Sequence, residues 1–151
     1  MKKVLIISYY WPPAGGSGVQ RWLKFTKYLP KNNWQPIIYT PENPYFEVKD
    51  EALCKDIPVE AEIWKSPVWE PYALKDKLFG KAGKSQSAGV ISNSKSSKNK
   101  LLNWVRGNFF IPDPKVYWVK PSIKVLLKKI KEEEVEHIIT TGPPHSMHLI
   151  G

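Results

Sequence analysis

Residues 2–29 read KKVLIISYYWPPAGGSGVQRWLKFTKYL, and this stretch decides the fold. Val4-Leu5-Ile6-Ile7 is a short apolar run closed by Trp11-Pro12-Pro13. Such a run, bounded by Pro and Gly, reads as a fully buried strand. A secretory leader also opens with lysines before an apolar run, but here the run is short and soon meets prolines. Beyond the loop, Val19, Trp22, Leu23, Thr26 and Leu29 recur at spacings of three and four. That spacing predicts a helix over Gly18–Leu29 with one apolar face. Gln20, Arg21, Lys24 and Lys27 take the other side, and Pro30 with Asn32-Asn33 ends the helix.

Working outward, the pattern repeats. Gln35–Thr40 is expected as a second strand and Ala61–Ser66 as a third, with a short helix over Tyr45–Lys55 between them. A further helix is expected over Pro71–Phe79. Ser122 is placed to cap a helix running to Glu134, with Ile123, Leu126, Leu127 and Ile130 inward. Glu136–Thr141 reads as a fourth buried strand, and residues 145–150 as the start of another helix. Alternating strands and helices define an α/β, Rossmann-like, doubly wound and mainly parallel sheet. Right-handed crossovers favour strand order 3-2-1-4. All of residues 1–151 then form a single domain, with a mobile Ser/Lys/Gly/Asn-rich insert at 80–100 that has too little apolar area to offset its ordering entropy. The chain stops just after a strand, which reads as a fragment of a longer protein or as a short native chain with a frayed end.

Composition narrows the function classes. Lone Cys54 excludes an intramolecular disulfide framework and a cysteine-based zinc site, and suits a cytoplasmic chain. It lies in an expected helix and reads as a small hydrophobe. No stretch approaches the roughly 18 apolar residues of a membrane span. The formal charge of +9 is local: residues 81–131 hold twelve of the 23 basic residues and one acid, Asp113. Such a run is a solvated face or a patch for phosphate, anionic lipid or nucleic acid.

In an open parallel sheet, ligands bind beyond the carboxyl ends of the strands, where the strand order reverses. Here that point lies between strands 1 and 4. The loops there are WPPAGGSGVQR and TTGPPHS, the Pro-Pro and Gly loops of the chain. Gly15, Gly16 and Gly18 let the backbone approach a ligand just before a helix N-terminus, which suits a phosphate or another anion. Arg21 in the first turn can reinforce that preference. No Gly-Lys-Ser/Thr follows, so this is not a P-loop, and Arg21 stands where the dinucleotide fingerprint needs glycine. A dinucleotide module, with Glu42 as its ribose acid, is the lesser alternative. In the second loop His145 can donate a hydrogen bond or exchange a proton near neutral pH, and Ser146 can cap. His148 reads as a half-buried helix residue, and two histidines without a third ligand do not make a metal site. In the aromatic and basic segment 103–118, Trp104 and Arg106 can stack on a sugar or base, or pack as a cap over the sheet. Asp113, between two prolines, can accept from a sugar hydroxyl or cap the turn.

The motifs WPPAGGSGVQR and TTGPPHSMHLIG resemble the amino-terminal domain of a bacterial family 4 glycosyltransferase. The segment LLNWVRGNFFIPDPKVYWVKPSIK is similar to the middle segment of that family. The resemblance implies one half of a GT-B architecture, the acceptor-side half. It also implies metal-independent, retaining transfer of a sugar from a nucleotide-sugar donor to a glycan or lipid-linked acceptor in cell-surface polysaccharide synthesis. No cofactor and no metal are expected. Gly15, Gly16, Gly18, Arg21 and Ser146 would contact the donor diphosphate, His145 the reacting sugar, and Asp113, Trp104 and Arg106 the acceptor. The carboxy-terminal nucleotide-sugar domain is absent from this chain, so the chain alone is expected to be inactive. The resemblance further implies a cytoplasmic protein with peripheral contact at the inner face of the plasma membrane, and no nucleic acid partner.

Overall fold

A computed structural model describes residues 1–46, 48–68, 108 and 111–151. Four strands, β1 (Lys2–Ile7), β2 (Trp34–Pro41), β3 (Glu62–Ser66) and β4 (His137–Thr140), form one sheet in the order β3-β2-β1-β4. Every pairing is parallel, with Ile6 opposite Ile38 of β2 and Ile139 of β4. The α/β, Rossmann-like reading and its strand order therefore hold. Helix α1 (Ser17–Tyr28) follows β1, and helix α2 (Val119–Glu132) precedes β4.

Alternate residues of a strand face opposite sides of the sheet. Leu5 and Ile7 of β1, with Ile37 and Tyr39 of β2, pack on one side with Trp118, Leu126 and Met147. Ile6 and Ile38 pack on the other with Leu23 and Trp11. The sheet is thus apolar on both faces, which is why its two central strands read as continuous hydrophobic runs. Tyr39 and Trp118 stack with ring centroids 5.0 Å apart and planes 3° from parallel. The Ser66 hydroxyl accepts from the Trp118 indole N–H at 2.9 Å and shares a hydrogen bond with the Tyr39 hydroxyl at 2.5 Å. Burial pushes the Tyr39 phenol above its ordinary pKa.

Several sequence expectations need correction, and others lie outside the described residues. Of Tyr45–Lys55, only a 3-10 turn at Glu51–Asp56 is helical. The preceding backbone pairs with the first loop instead: Gly15 N donates to Val48 O, and Asp50 N donates to Pro13 O. That pairing takes the backbone groups a helix would have used. Cys54 sits in this turn, and burial first, then the Glu51 carboxylate, raises its thiol pKa. Ser122 does not cap α2, which starts three residues earlier, directly out of a 3-10 turn at Pro114–Trp118. Ser122 is buried inward with Val119 and Leu126, while Leu127 is 60% exposed. Pro121 is tolerated because the first helical turn needs no N–H donors. The fourth strand is not buried: Ile138 is 43% exposed, because β4 pairs only with β1 among the described residues. The expected helix at 71–79, the insert at 80–100, and Trp104 and Arg106 fall outside the described residues.

Candidate functional site

The two loops singled out by sequence do meet. Beyond the carboxyl ends of β1 and β4 lies an open cleft of about 540 Å³. Gly15, Gly16, Gly18 and Arg21 form one wall, and Thr141, Gly142 and Pro143 the other. Tyr10 and Trp22 complete it.

The first wall is built around glycine for two separate reasons. Gly16, the residue before α1, has φ 112° and ψ 166°, a conformation that side chains strain to adopt. A Cβ at Gly15 would stand 2.9 Å from Val48 Cγ1, where the loop is tied down by the backbone pairing described above. No side chain caps α1, and no acid lies in its first turn. The bond from Gln20 N to Gly16 O, 3.2 Å, closes the first turn. The amides of Ser17, Gly18 and Val19 therefore have no intrahelical acceptor. They carry the positive end of the helix dipole into the cleft beside Arg21. Arg21 has no ion-pair partner among the described residues. Among the described residues, the wall is an unneutralised positive surface.

The second wall is organised differently. The carboxylate of Asp113 accepts from Lys115 N at 2.9 Å, capping the turn at Pro114–Trp118. It also accepts from Ser146 N at 2.7 Å and from the Ser146 hydroxyl at 2.8 Å. Ser146 is therefore buried against Asp113 and does not line the cleft. It is not a cap either, since Pro144 occupies that position of the 3-10 turn His145–Leu149. Both residues were legible as candidates, but their bond to each other, across 33 positions, was not. His145 is exposed, with its ring centroid 6.0 Å from that of His148. His148 is exposed rather than half-buried, and its Nδ1 shares a 2.7 Å hydrogen bond with the Thr140 hydroxyl. A Cβ on Gly142 would stand 2.8 Å from His148 Nε2 and 3.3 Å from His145 Nδ1. The two rings thus stand beside Gly142, and neither is among the residues that line the cleft.

Tyr10 and Trp22 are among the cleft residues that escaped the sequence reading. Tyr10 stands three residues beyond β1, and its ring is wedged against Tyr9 and Phe46 at centroid distances of 5.0 and 6.1 Å. Trp22 was assigned to the buried helix face, yet it reaches the cleft. Its place at the edge of that face was the available signal. Glu42, the candidate ribose acid, lies in a separate hollow of about 200 Å³ beyond β2. Among the described residues, no group of three or more His, Cys, Asp or Glu side chains is placed to hold a metal ion.

The fold and cleft define an α/β chain with a Rossmann-like parallel sheet and an anion-suited mouth at its switch point. Comparisons with protein-family models, curated proteins and solved structures find no match to this chain.

Proposed function

We propose that the cleft binds the diphosphate of a nucleotide-sugar, and that the chain is the acceptor-side half of a retaining glycosyltransferase. The supporting observation is the convergence, at the strand-order reversal, of an uncapped helix start and Arg21 with the Gly142 loop. The α1 amides and the guanidinium would balance the charge that gathers on the diphosphate as it leaves the sugar. His145 would donate a hydrogen bond to the donor sugar from beside Gly142. Asp113 and Ser146 act in this reading as positioning residues, since their mutual bonds fix the turn that carries His145. Trp104 and Arg106 remain proposed acceptor contacts, on the resemblance alone. Acceptors in cell-surface polysaccharide synthesis, glycans or lipid-linked sugars, are the substrate class that resemblance brings.

Titrating the chain with pyrophosphate and with a sugar nucleotide, followed by amide and ring NMR signals, tests this reading. Gly16, Gly18 and His145 should shift, and Arg21→Gln should weaken pyrophosphate binding about tenfold with no loss of folding. Shifts confined to residues 81–100 would show the site to be elsewhere. Sugar transfer by this chain alone would refute its assignment as one half of the enzyme.

A further inference from the structure

The outward face of α1 carries chemistry that the cleft does not use. Val19, Leu23 and Thr26 turn to the core. On the opposite side, at 100° per residue, lie Arg21, Lys24, Phe25 and Tyr28. Phe25 is 58% exposed and Tyr28 54% exposed, although both are large and apolar. They are held as a platform: the Phe25 ring lies 5.7 Å from that of Trp22, and the Lys31 ammonium sits 5.4 Å over the Tyr28 ring. The helix and the turn after it carry charge of one sign. The first acidic residue of the whole chain is Glu42, so Arg21, Lys24, Lys27 and Lys31 meet no acid within their own segment. Asp56, 3.8 Å from Lys24, is the one ion-pair partner any of them finds among the described residues.

We propose that this face of α1 is a docking surface for an anionic lipid bilayer. Exposed rings on a helix face enter the headgroup boundary, and lysines beside them meet anionic headgroups. Charge complementarity selects the occupant: a neutral apolar partner would gain nothing from Arg21, Lys24 and Lys31, and an ion alone nothing from the rings. The surface differs from the Lys-rich run at 81–131 to which composition directs attention. It also stands apart from the proposed diphosphate site, since Lys24, Phe25, Tyr28 and Lys31 do not line the cleft. Trp22 and Arg21 belong to both surfaces, so a docked α1 would bring the cleft mouth to the lipid headgroups.

Co-sedimentation of the whole chain with phosphatidylcholine vesicles, with and without phosphatidylglycerol, tests the proposal. Partitioning should require phosphatidylglycerol and fall with added salt. F25S/Y28S should lower it about tenfold, by removing apolar area from the boundary. K24Q/K31Q should lower it about 25-fold, at roughly fivefold for each interfacial lysine. K124Q on α2 should change it by no more than about twofold. All four substituted α1 and turn positions are at the surface, and an unchanged circular-dichroism melt confirms that each variant is folded. Absence of partitioning, or partitioning that F25S/Y28S leaves intact, overturns the proposal. So does tighter binding to a single-stranded oligonucleotide than to the anionic vesicles, lost in the same variants, which would make this a nucleic-acid surface.

Discussion

Two short helical starts stand side by side at the carboxyl end of the sheet, and they are finished in opposite ways. The turn at His145–Leu149, after β4, has its Ser146 amide and hydroxyl claimed by the Asp113 carboxylate. Helix α1, after β1, has a glycine before it, no capping side chain and no acid in its first turn. One start carries an internal anion; the other is left open beside Arg21. The difference teaches where an external anion can go. A second negative charge beside Ser146 would meet the Asp113 carboxylate, while one beside Gly18 meets only positive potential. The same chemistry, an amide-lined helix start, is structural in one place and available in the other.

The comparison can be broken most forcefully at Asp113. Asp113→Ala removes a cap and two hydrogen bonds to a carboxylate, and should cost about 3 kcal/mol, read from the urea midpoint. An unchanged midpoint would mean that the closed start does not depend on its carboxylate. A smaller effect is expected at Gly16, where alanine must adopt φ 112°. Gly16→Ala should destabilise by about 2 kcal/mol in the same assay and weaken pyrophosphate binding. The smallest effect carries the sharpest contrast. Nothing lies within 4 Å of a Cβ built on Gly18. Gly18→Ala should therefore stabilise the fold by about 0.5 kcal/mol while weakening pyrophosphate binding, because its methyl enters the cleft. A stabilised variant with undiminished affinity would remove Gly18 from the site.

The fold was legible because its signals are local. The β1 run, the three-and-four spacing of α1 and the rule on crossover handedness each needed only neighbouring residues. The failures share a cause: a distant segment decides the local outcome. Residues 48–50 read as helix, yet their backbone groups pair with the first loop. Ser122 reads as a cap, yet Asp113 starts the helical run nine residues earlier. Glu136–Thr141 reads as buried, yet an edge position leaves Ile138 exposed. In the site, glycines and Arg21 were visible because a loop after a first strand has a known place. Tyr10 and Trp22 were missed because reaching a cleft depends on orientation, which apolar periodicity does not report.

The Ser66 hydroxyl also bears on how such a chain can change in length. It joins the end of β3 to Trp118 across 52 positions. Closure entropy rises only with the logarithm of length, so doubling the connection between those anchors costs about 0.6 kcal/mol. With Tyr39 and Trp118 stacked on each other and both hydrogen-bonded to that hydroxyl, the sheet end feels little of that lengthening. Insertions and deletions between Ser66 and the Asp113 turn can accumulate over descent while the bonds from Asp113 to Ser146 keep the second wall of the cleft in place.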